Sequence, residues 1–423
     1  MNQTRHIGFV STRLSGTDGV SLEAAKWAEI FQRMGHSVAY CAGELDPNGP
    51  EGMHVDKMHF RHPDVQSIRN DMFLNGNSHP LELHARIDRI AQDLRRAIRS
   101  FAEEYSIDLL IAENALAIPM NVPLGIALHQ EIVASKLPTI AHHHDFAWER
   151  SRFDACAIPK ILEAHFPPRC AAIRHVVINS LAKRELLARR GENSVIVPNV
   201  LDFKRGAAGR QDRCQRLRTA LGFDDEDVIL LQPTRVVPRK GIELSIQLAS
   251  RLRVLLHPRP VRLLISHSAG DEGMEYLVNL QAKAESAGMK ITMADDLVGV
   301  PEQPFGGDPA PFDLHDAYAC ADLVTYPSLI EGFGNAFLEA VFYRRPVLVN
   351  RYPVYVADIE PYGFDVIAID ECIETQTVES VARLLGDPRR IDRMTDHNYR
   401  VASEHFSYEV AAERLQRVLR SIH

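Results

Sequence analysis

Two segments carry residue types whose spacing suits the handling of a phosphate and a sugar. The first is Thr234-Arg-Val-Val-Pro-Arg-Lys-Gly241, where Arg235 offers a bidentate fork and Lys240 a point charge. Arg239 also sits here, but Arg235 and Lys240 are the expected pair. The second is Tyr326-Pro-Ser-Leu-Ile-Glu-Gly-Phe-Gly-Asn-Ala-Phe-Leu-Glu339. It reads as a buried strand, a glycine-bearing loop, and a helix starting near Phe333 or Gly334. Amides and the dipole at such a helix start attract an anion or a sugar oxygen. Gly332 and Gly334 let the main chain approach a ligand closely. Glu331 and Glu339 are acceptor-only groups suited to pairs of hydroxyls, one set on a sugar and the other on a ribose.

A third segment is His142-His-His-Asp-Phe-Ala-Trp-Glu-Arg150, at the end of an apolar run. Neighbouring residues on a strand face opposite ways, so three consecutive histidines cannot all converge on one ion. No metal site is expected, and which of His142, His143 and His144 faces a ligand stays open. Ser15-Gly-Thr-Asp-Gly-Val20 follows the first apolar run, and Gly16 and Gly19 suit either an ordinary turn or a phosphate loop. Trp148, Glu149, Arg150 and Arg152, with Asn114 and Asn121, could hold a small hydrophilic acceptor. The arginines suit a carboxylate or phosphate on it, or else simple surface ion pairs.

These residues need a scaffold that brings them to one rim. Short apolar runs read as buried parallel strands at 7–12, 37–42, 108–112, 139–143, 176–179 and 195–198. The pattern restarts at 228–232, 261–266, 290–293, 323–326, 346–350 and 366–369, with helical patterns between. The clearest helix carries Leu83, Ile87, Ile90, Leu94, Ala97, Phe101 and Tyr105 on one stripe. The fold class is therefore α/β, with two doubly wound halves whose ligands belong at the carboxyl ends of the strands, in a cleft. The expected division is 1–205, 206–405, and a helix in 406–423 whose partner chain order does not reveal. The basic stretch from Asp202 to Asp227 reads as a linker and a solvated helix face, and 299–312 as an extended loop.

Composition narrows the function classes. Lys and Arg number 48 against 56 Asp and Glu, a net charge of −8 over 423 residues, which disfavours general nucleic-acid binding. The six cysteines lie far apart without a C-x-x-C pair, which argues against a disulfide framework and fits a reducing cytoplasm. Residues 7–10 are too few for a signal-peptide core, and the apolar stretch 109–133 is broken by Glu113, Asn114, Pro119, Asn121, Pro123 and His129. A cytoplasmic chain without membrane insertion is expected, and a homodimer stays open.

The spacing of Glu331 and Glu339 around Glu-Gly-Phe-Gly, with the upstream Arg235-x4-Lys240-Gly, resembles glycosyltransferase family 4. That resemblance implies the two-domain GT-B fold and a retaining, nucleotide-sugar-dependent hexosyltransferase without metal or cofactor. It implies that Arg235 and Lys240 hold the donor diphosphate, Glu331 the donor sugar and Glu339 the ribose. Gly332, Phe333, Gly334 and Asn335 would support sugar and phosphate, and Gly16 and Gly19 would lie near the phosphates. His144, followed by Asp145, matches the family's histidine aimed at the reacting sugar. With them His143, Trp148, Arg150, Arg152 and Asn121 fall on the acceptor side. The runs 113–121 and 142–146 resemble a subgroup acting on small solutes, the mannosylglucosylglycerate synthases. The expectation is transfer of mannose or glucose from GDP or UDP to a small, hydroxylated, anionic acceptor. The alternatives are a GT-B phosphorylase and an epimerase, which the two-glutamate pattern disfavours. A solute-binding protein should carry an export signal.

Overall fold

A computed structural model describes residues 4–75, 79–206, 211–268, 274–298, 304–305, 308–309 and 312–422. Its contacts divide the chain into two compact units, Met1–Val200 with Tyr408–His423, and Leu201–Ser407. The boundary falls five residues before the division expected from the sequence.

The first unit is a seven-stranded sheet of β1 (His6–Val10), β2 (Ser37–Ala42), β3 (Gly52–His54), β4 (Leu109–Glu113), β5 (Thr139–His143), β6 (Ile173–Val177) and β7 (Ser194–Ile196). The strand order is 3-2-1-4-5-6-7 and every pairing is parallel. Strands of this kind are covered on both faces, which is why β1, β4 and β5 are near-continuous apolar runs. The helix Pro80–Glu104 buries Leu83, Ile87, Ile90, Leu94 and Phe101 on one face. Five residues of the expected stripe are buried, with Ala91 and Ile98 beside them, while Ala97 is half-buried and Tyr105 lies just past the helix as its C-cap.

The last helix, Tyr408–Arg420, packs on the opposite face against the helix Gly19–Arg33. Ala411, Leu415 and Val418 join the core around Trp27 and Phe31. Tyr408 donates to Glu29 at 3.3 Å, and Arg33 lies 5.0 Å from the Tyr408 ring centre.

The second unit is a six-stranded sheet of β8 (Val228–Gln232), β9 (Val261–Ile265), β10 (Ile291–Met293), β13 (Leu323–Tyr326), β14 (Val347–Asn350) and β15 (Ile367–Ile369). All its pairings are parallel, in the order 10-9-8-13-14-15. A separate antiparallel pair joins β11 (Pro304–Phe305) to β12 (Asp308–Pro309), inside the segment expected to be one loop. Residues 299–303, 306–307 and 310–311 of that segment lie outside the described residues.

Two expectations are corrected. The basic stretch before β8 is not a solvated face: Arg213 bonds the buried Asp316 at 2.8 and 2.6 Å. Arg218, 8% exposed, donates to the carbonyls of Cys320, Asp224, Asp225 and Asp227. Those carbonyls crowd the turn into β8, and a guanidinium with five donors satisfies them at once. Residues 207–210 of this stretch are not described. Strand β6 also starts three residues before the apolar run, because Arg174 lies on its exposed side and His175 faces the core. No described helix is long and apolar enough to cross a membrane.

Candidate active site

In the second unit the site begins at the end of β8. The buried Gln232 side chain donates to Thr234 Oγ1 at 2.8 Å and accepts from Ser245 and Thr325 at 2.7 and 3.1 Å. This network ties the end of β8 to β13 and to the helix Ile242–Leu255. The chain then turns through Pro238–Lys240 to Gly241, whose φ of +61° and 2.4 Å approach to the Pro327 carbonyl exclude a side chain. Leu329 N donates to the Arg239 carbonyl at 2.8 Å. The loops after β8 and β13 are thus joined main chain to main chain.

That junction sets the charges. Lys240 and Glu331 form an ion pair with side chains 11% and 9% exposed. Arg239 donates to the Ile330 carbonyl at 3.0 Å and to Glu331 at 3.3 Å. Burial alone would raise the Glu331 carboxyl, but Lys240 and Arg239 hold it below the usual carboxylate range. Burial, then Arg239 and Arg235, pulls the Lys240 ammonium down. Arg235 is exposed and makes no ion pair among the described residues. Beside them His267, after β9, shares a 2.9 Å hydrogen bond with Ser266. Burial, with Lys240 and Arg235 nearby, pushes His267 down to about 4, so its ring is neutral at pH 7.

The helix expected near Phe333 or Gly334 starts at Asn335. Gly334 precedes it at φ +140°, and Tyr352 Oη, which donates to the Phe333 carbonyl at 2.7 Å, would stand 2.3 Å from any Cβ there. Phe333 is buried, Gly332 exposed and Asn335 half-buried. Glu339, half-buried on this helix, accepts from Tyr318 Oη at 2.9 Å.

In the first unit β4 and β5 run side by side, with Glu113 paired in register with His142. The strand alternation puts His142 and His144 on one side and His143 on the other. Glu113 accepts from His142 Nδ1 at 3.1 Å through Oε2 and from His144 Nε2 at 2.5 Å through Oε1. Burial opposes the charge on Glu113, yet the two rings hold it down at about 2. Burial would lower His144, but the Glu113 bond raises it; burial prevails at His142, which is lowered. Asn114, at φ +56°, accepts from His144 N at 3.0 Å and donates to Asp145 at 2.9 Å.

Among the described residues, Glu113, His142 and His144 are a group close enough to hold a metal ion. A tetrahedral ion with ligands at about 2.0–2.1 Å would spread them to roughly 3.4 Å apart. Here 2.5 and 3.1 Å are hydrogen-bond lengths.

Several sequence expectations are redrawn. His143 is not on the acceptor side: it is fully buried, bonds His175 at 2.8 Å, and is pushed well down by burial and by His175. Asn121 is the buried N-cap of the helix Val122–Ser135. Its Oδ1 accepts from Leu124 N, and its Nδ2 donates to the Lys57 and Met58 carbonyls, which uses both amide hydrogens. Trp148 stacks on Phe146 at 4.4 Å with Arg189 and Arg190 over its ring. Arg150 pairs with Asp145 at 2.6 Å, and Arg152 lies over Phe153. Gly16 adopts φ +77°. The helix beginning at Gly19 is capped by Asp18, whose carboxylate takes the Val20 and Ser21 amides. In the loop of Gly16 and Gly19, expected near the phosphates, the Val20 and Ser21 amides thus already meet a carboxylate.

Sequence reasoning did not single out Glu113 or His267, and it set Arg239 aside in favour of Arg235 and Lys240. Each had a signal, since each lies at or just beyond the end of a strand, where α/β sheets bind their ligands.

Comparisons fit this geometry. The family model "Glycosyl transferases group 1" matches residues 215–401, within the second unit. Mannosylglucosylglycerate synthase of Thermotoga maritima is 33% identical over 97% of this chain and 99% of that protein. The enzyme of the same name from Petrotoga mobilis is 30% identical over 92% of this chain and 95% of that protein. Anabaena Alr3699/HepE, crystallised with UDP and glucose, has a TM-score of 0.66 over 99% of this chain and all of that one, at 14% identity. The two parallel-sheet domains are those of the GT-B fold. The chain belongs to the group 1 glycosyltransferases, as a relative of the mannosylglucosylglycerate synthases.

Proposed function

We propose that this glycosyltransferase moves a hexose, mannose or glucose, from a GDP- or UDP-linked donor to a small, hydroxylated, anionic acceptor of the glycerate type. It does so with retention of configuration and without a metal ion or cofactor. The observation that carries the reading is the cationic rim of the second unit. Arg235 makes no ion pair among the described residues, Lys240 and Arg239 are locked to Glu331, and all three lie beside strand ends. The full-length likeness to two mannosylglucosylglycerate synthases supports the acceptor class.

The departing diphosphate leaves with increasing negative charge. Preorganised cations aimed at that charge stabilise the transition state without the reorganisation that water would require. Arg235 binds the diphosphate as a fork and Lys240 as a point charge. Amides at the start of the helix Asn335–Phe342 add a dipole of the right sign. Glu331, kept ionised by its two cations, accepts from hydroxyls of the sugar, and Glu339 accepts from the ribose. Retention follows if the acceptor hydroxyl attacks on the face the nucleotide leaves and a phosphate oxygen takes its proton. The family resemblance assigns His144 the role of steadying the reacting sugar.

One screen tests this: GDP- and UDP-mannose and -glucose, each with glycerate and glucosylglycerate, with product anomers read by NMR. An α-linked product from an α-linked donor is expected. Release of free hexose phosphate from a glycoside with inorganic phosphate alone would favour the phosphorylase instead.

A further inference from the structure

We propose that Glu113 is a positioning residue that acts through His144: by accepting the Nε2 proton of that ring it leaves Nδ1 as the atom offered to a substrate oxygen. What Nδ1 meets rests on the hexosyl-transfer reading above; the pairing with Glu113 does not.

Glu113 is the last residue of β4, and its side chain is fully buried. A carboxylate only accepts, so both imidazoles that touch it must donate, His142 through Nδ1 and His144 through Nε2. Which nitrogen of a histidine carries its proton is set by the bond the other end makes. His142 cannot swing away, because Trp27 stacks on its ring at 3.9 Å and 14°. The main chain of His144 is fixed by Asn114, 3.0 Å from its amide. Among the described residues no protein group bonds Nδ1 of His144.

The groups facing His144 are Glu113 from β4, His142 from β5, Glu23 from the helix Gly19–Arg33, and its neighbour Asp145. Glu23 is itself buried, with Oε2 lacking a partner. Burial disfavours a charged ring, but three carboxylates around it favour retaining the proton. With its hydrogen on Nε2, the ring presents the Nδ1 lone pair, which accepts from a substrate hydroxyl. Glu113 touches no substrate in this scheme and works by fixing the tautomer.

The test uses the full chain labelled with 15N-histidine, and then kinetics. In the unliganded protein His144 should show a protonated Nε2 whose hydrogen resonates far downfield, and Glu113→Gln should move it upfield. Glu113→Gln should cut kcat by about 10²-fold with KM within about twofold. It should also shift the acid limb of the kcat profile to lower pH, because without Glu113 the ring takes a second proton less readily. In a His144→Ala background the same substitution should change kcat by less than about twofold. A loss in that background as large as in the wild type would overturn the proposal. If E113Q fails to fold, the wild-type spectrum decides: an Nδ1–H ring with bare Nε2 overturns it, and the reverse upholds it. A protein with the expected tautomer but no transfer from any nucleotide sugar would sink the hexosyl-transfer reading alone.

Discussion

Lys240 and Glu331 stand 91 residues apart in sequence and meet as an ion pair in which each side chain is about nine-tenths buried. A buried pair of this kind contributes little net stability, since desolvation of both ions offsets their attraction. Its consequence is geometric. It fixes the ammonium and the carboxylate in one relation before any ligand arrives, with Arg239 as a second clamp on Glu331.

The pair can be separated from the chemistry. Lys240→Met keeps volume and removes the charge, leaving Glu331 with Arg239 alone. Stability should fall by up to about 3 kcal/mol, because one ion is left half-compensated. Turnover should fall by about 10²-fold or more, as for loss of one preorganised donor. Adding Glu331→Gln should restore most of the stability and none of the activity. Denaturant midpoints and initial rates of the three variants check this. Recovery of activity in the double variant would remove Lys240 from the diphosphate.

The two glutamates should differ by ligand. Glu331→Gln should weaken binding of the nucleotide sugar and leave the bare nucleoside diphosphate nearly untouched, since charge-assisted bonds to hydroxyls are worth about 1.5–3 kcal/mol. Glu339→Gln should weaken both ligands alike, because each carries the ribose. Calorimetric titration of both variants with both ligands decides, and the opposite pattern would exchange the assignments.

Much of this site was legible because its signals are local. Arg235, Lys240, Glu331 and Glu339 sit in two short segments that follow apolar strands, and strand ends are where such sheets bind. What was not legible depended on register or on distant partners. A one-residue shift of phase decides which of three histidines faces the core, and only the partner strand β6, with His175, settles it for His143. Arg213 and Arg218 looked solvated because Asp316 and Cys320 lie about a hundred positions on. Asn121 was readable: an asparagine two residues before a proline, at the head of an apolar helix, is a capping signal. The strand β3 has only three residues at the sheet edge, too short to show a period.

Activity should persist in excess EDTA, because side-chain cations and a helix start carry the phosphate charge in the mechanism proposed here. Rates with and without chelator, and after adding back Mg²⁺, Mn²⁺ or Zn²⁺, provide the check. Loss in chelator with recovery on one ion would instead point to Glu113, His142 and His144 as its ligands.

Acid should weaken the first unit through His175. Burial pushes this ring down to about 4 from 6.5, so the folded chain keeps it neutral while the unfolded chain protonates it. Its stabilising contribution is complete above pH 6.5 and is lost as pH falls toward 4, an effect of roughly 3 kcal/mol. His175→Gln, which can still bond His143, should lose less stability over that range. Urea midpoints at pH 7.5 and 5 for both proteins measure it, and equal losses would show that His175 is already charged in the fold.

Gly334 should tolerate no side chain. At φ +140° an L-residue is strained whatever the space, and a Cβ would sit 2.3 Å from Tyr352 Oη. Gly334→Ala must therefore either push Tyr352 off the Phe333 carbonyl or shift the loop that carries Glu331. Strain at such a backbone costs about 1–3 kcal/mol, and displacing Glu331 would weaken donor binding as well. Tyr352→Phe removes the hydroxyl that makes the clash while leaving the ring in place. Adding it to Gly334→Ala should recover the part of the loss due to contact and leave the part due to φ. Melting temperature and nucleotide-sugar affinity, measured for the two single variants and the double, separate the two. If Gly334→Ala matched the wild type in both, the loop would not need its glycine, and the close approach of Tyr352 would not constrain Glu331.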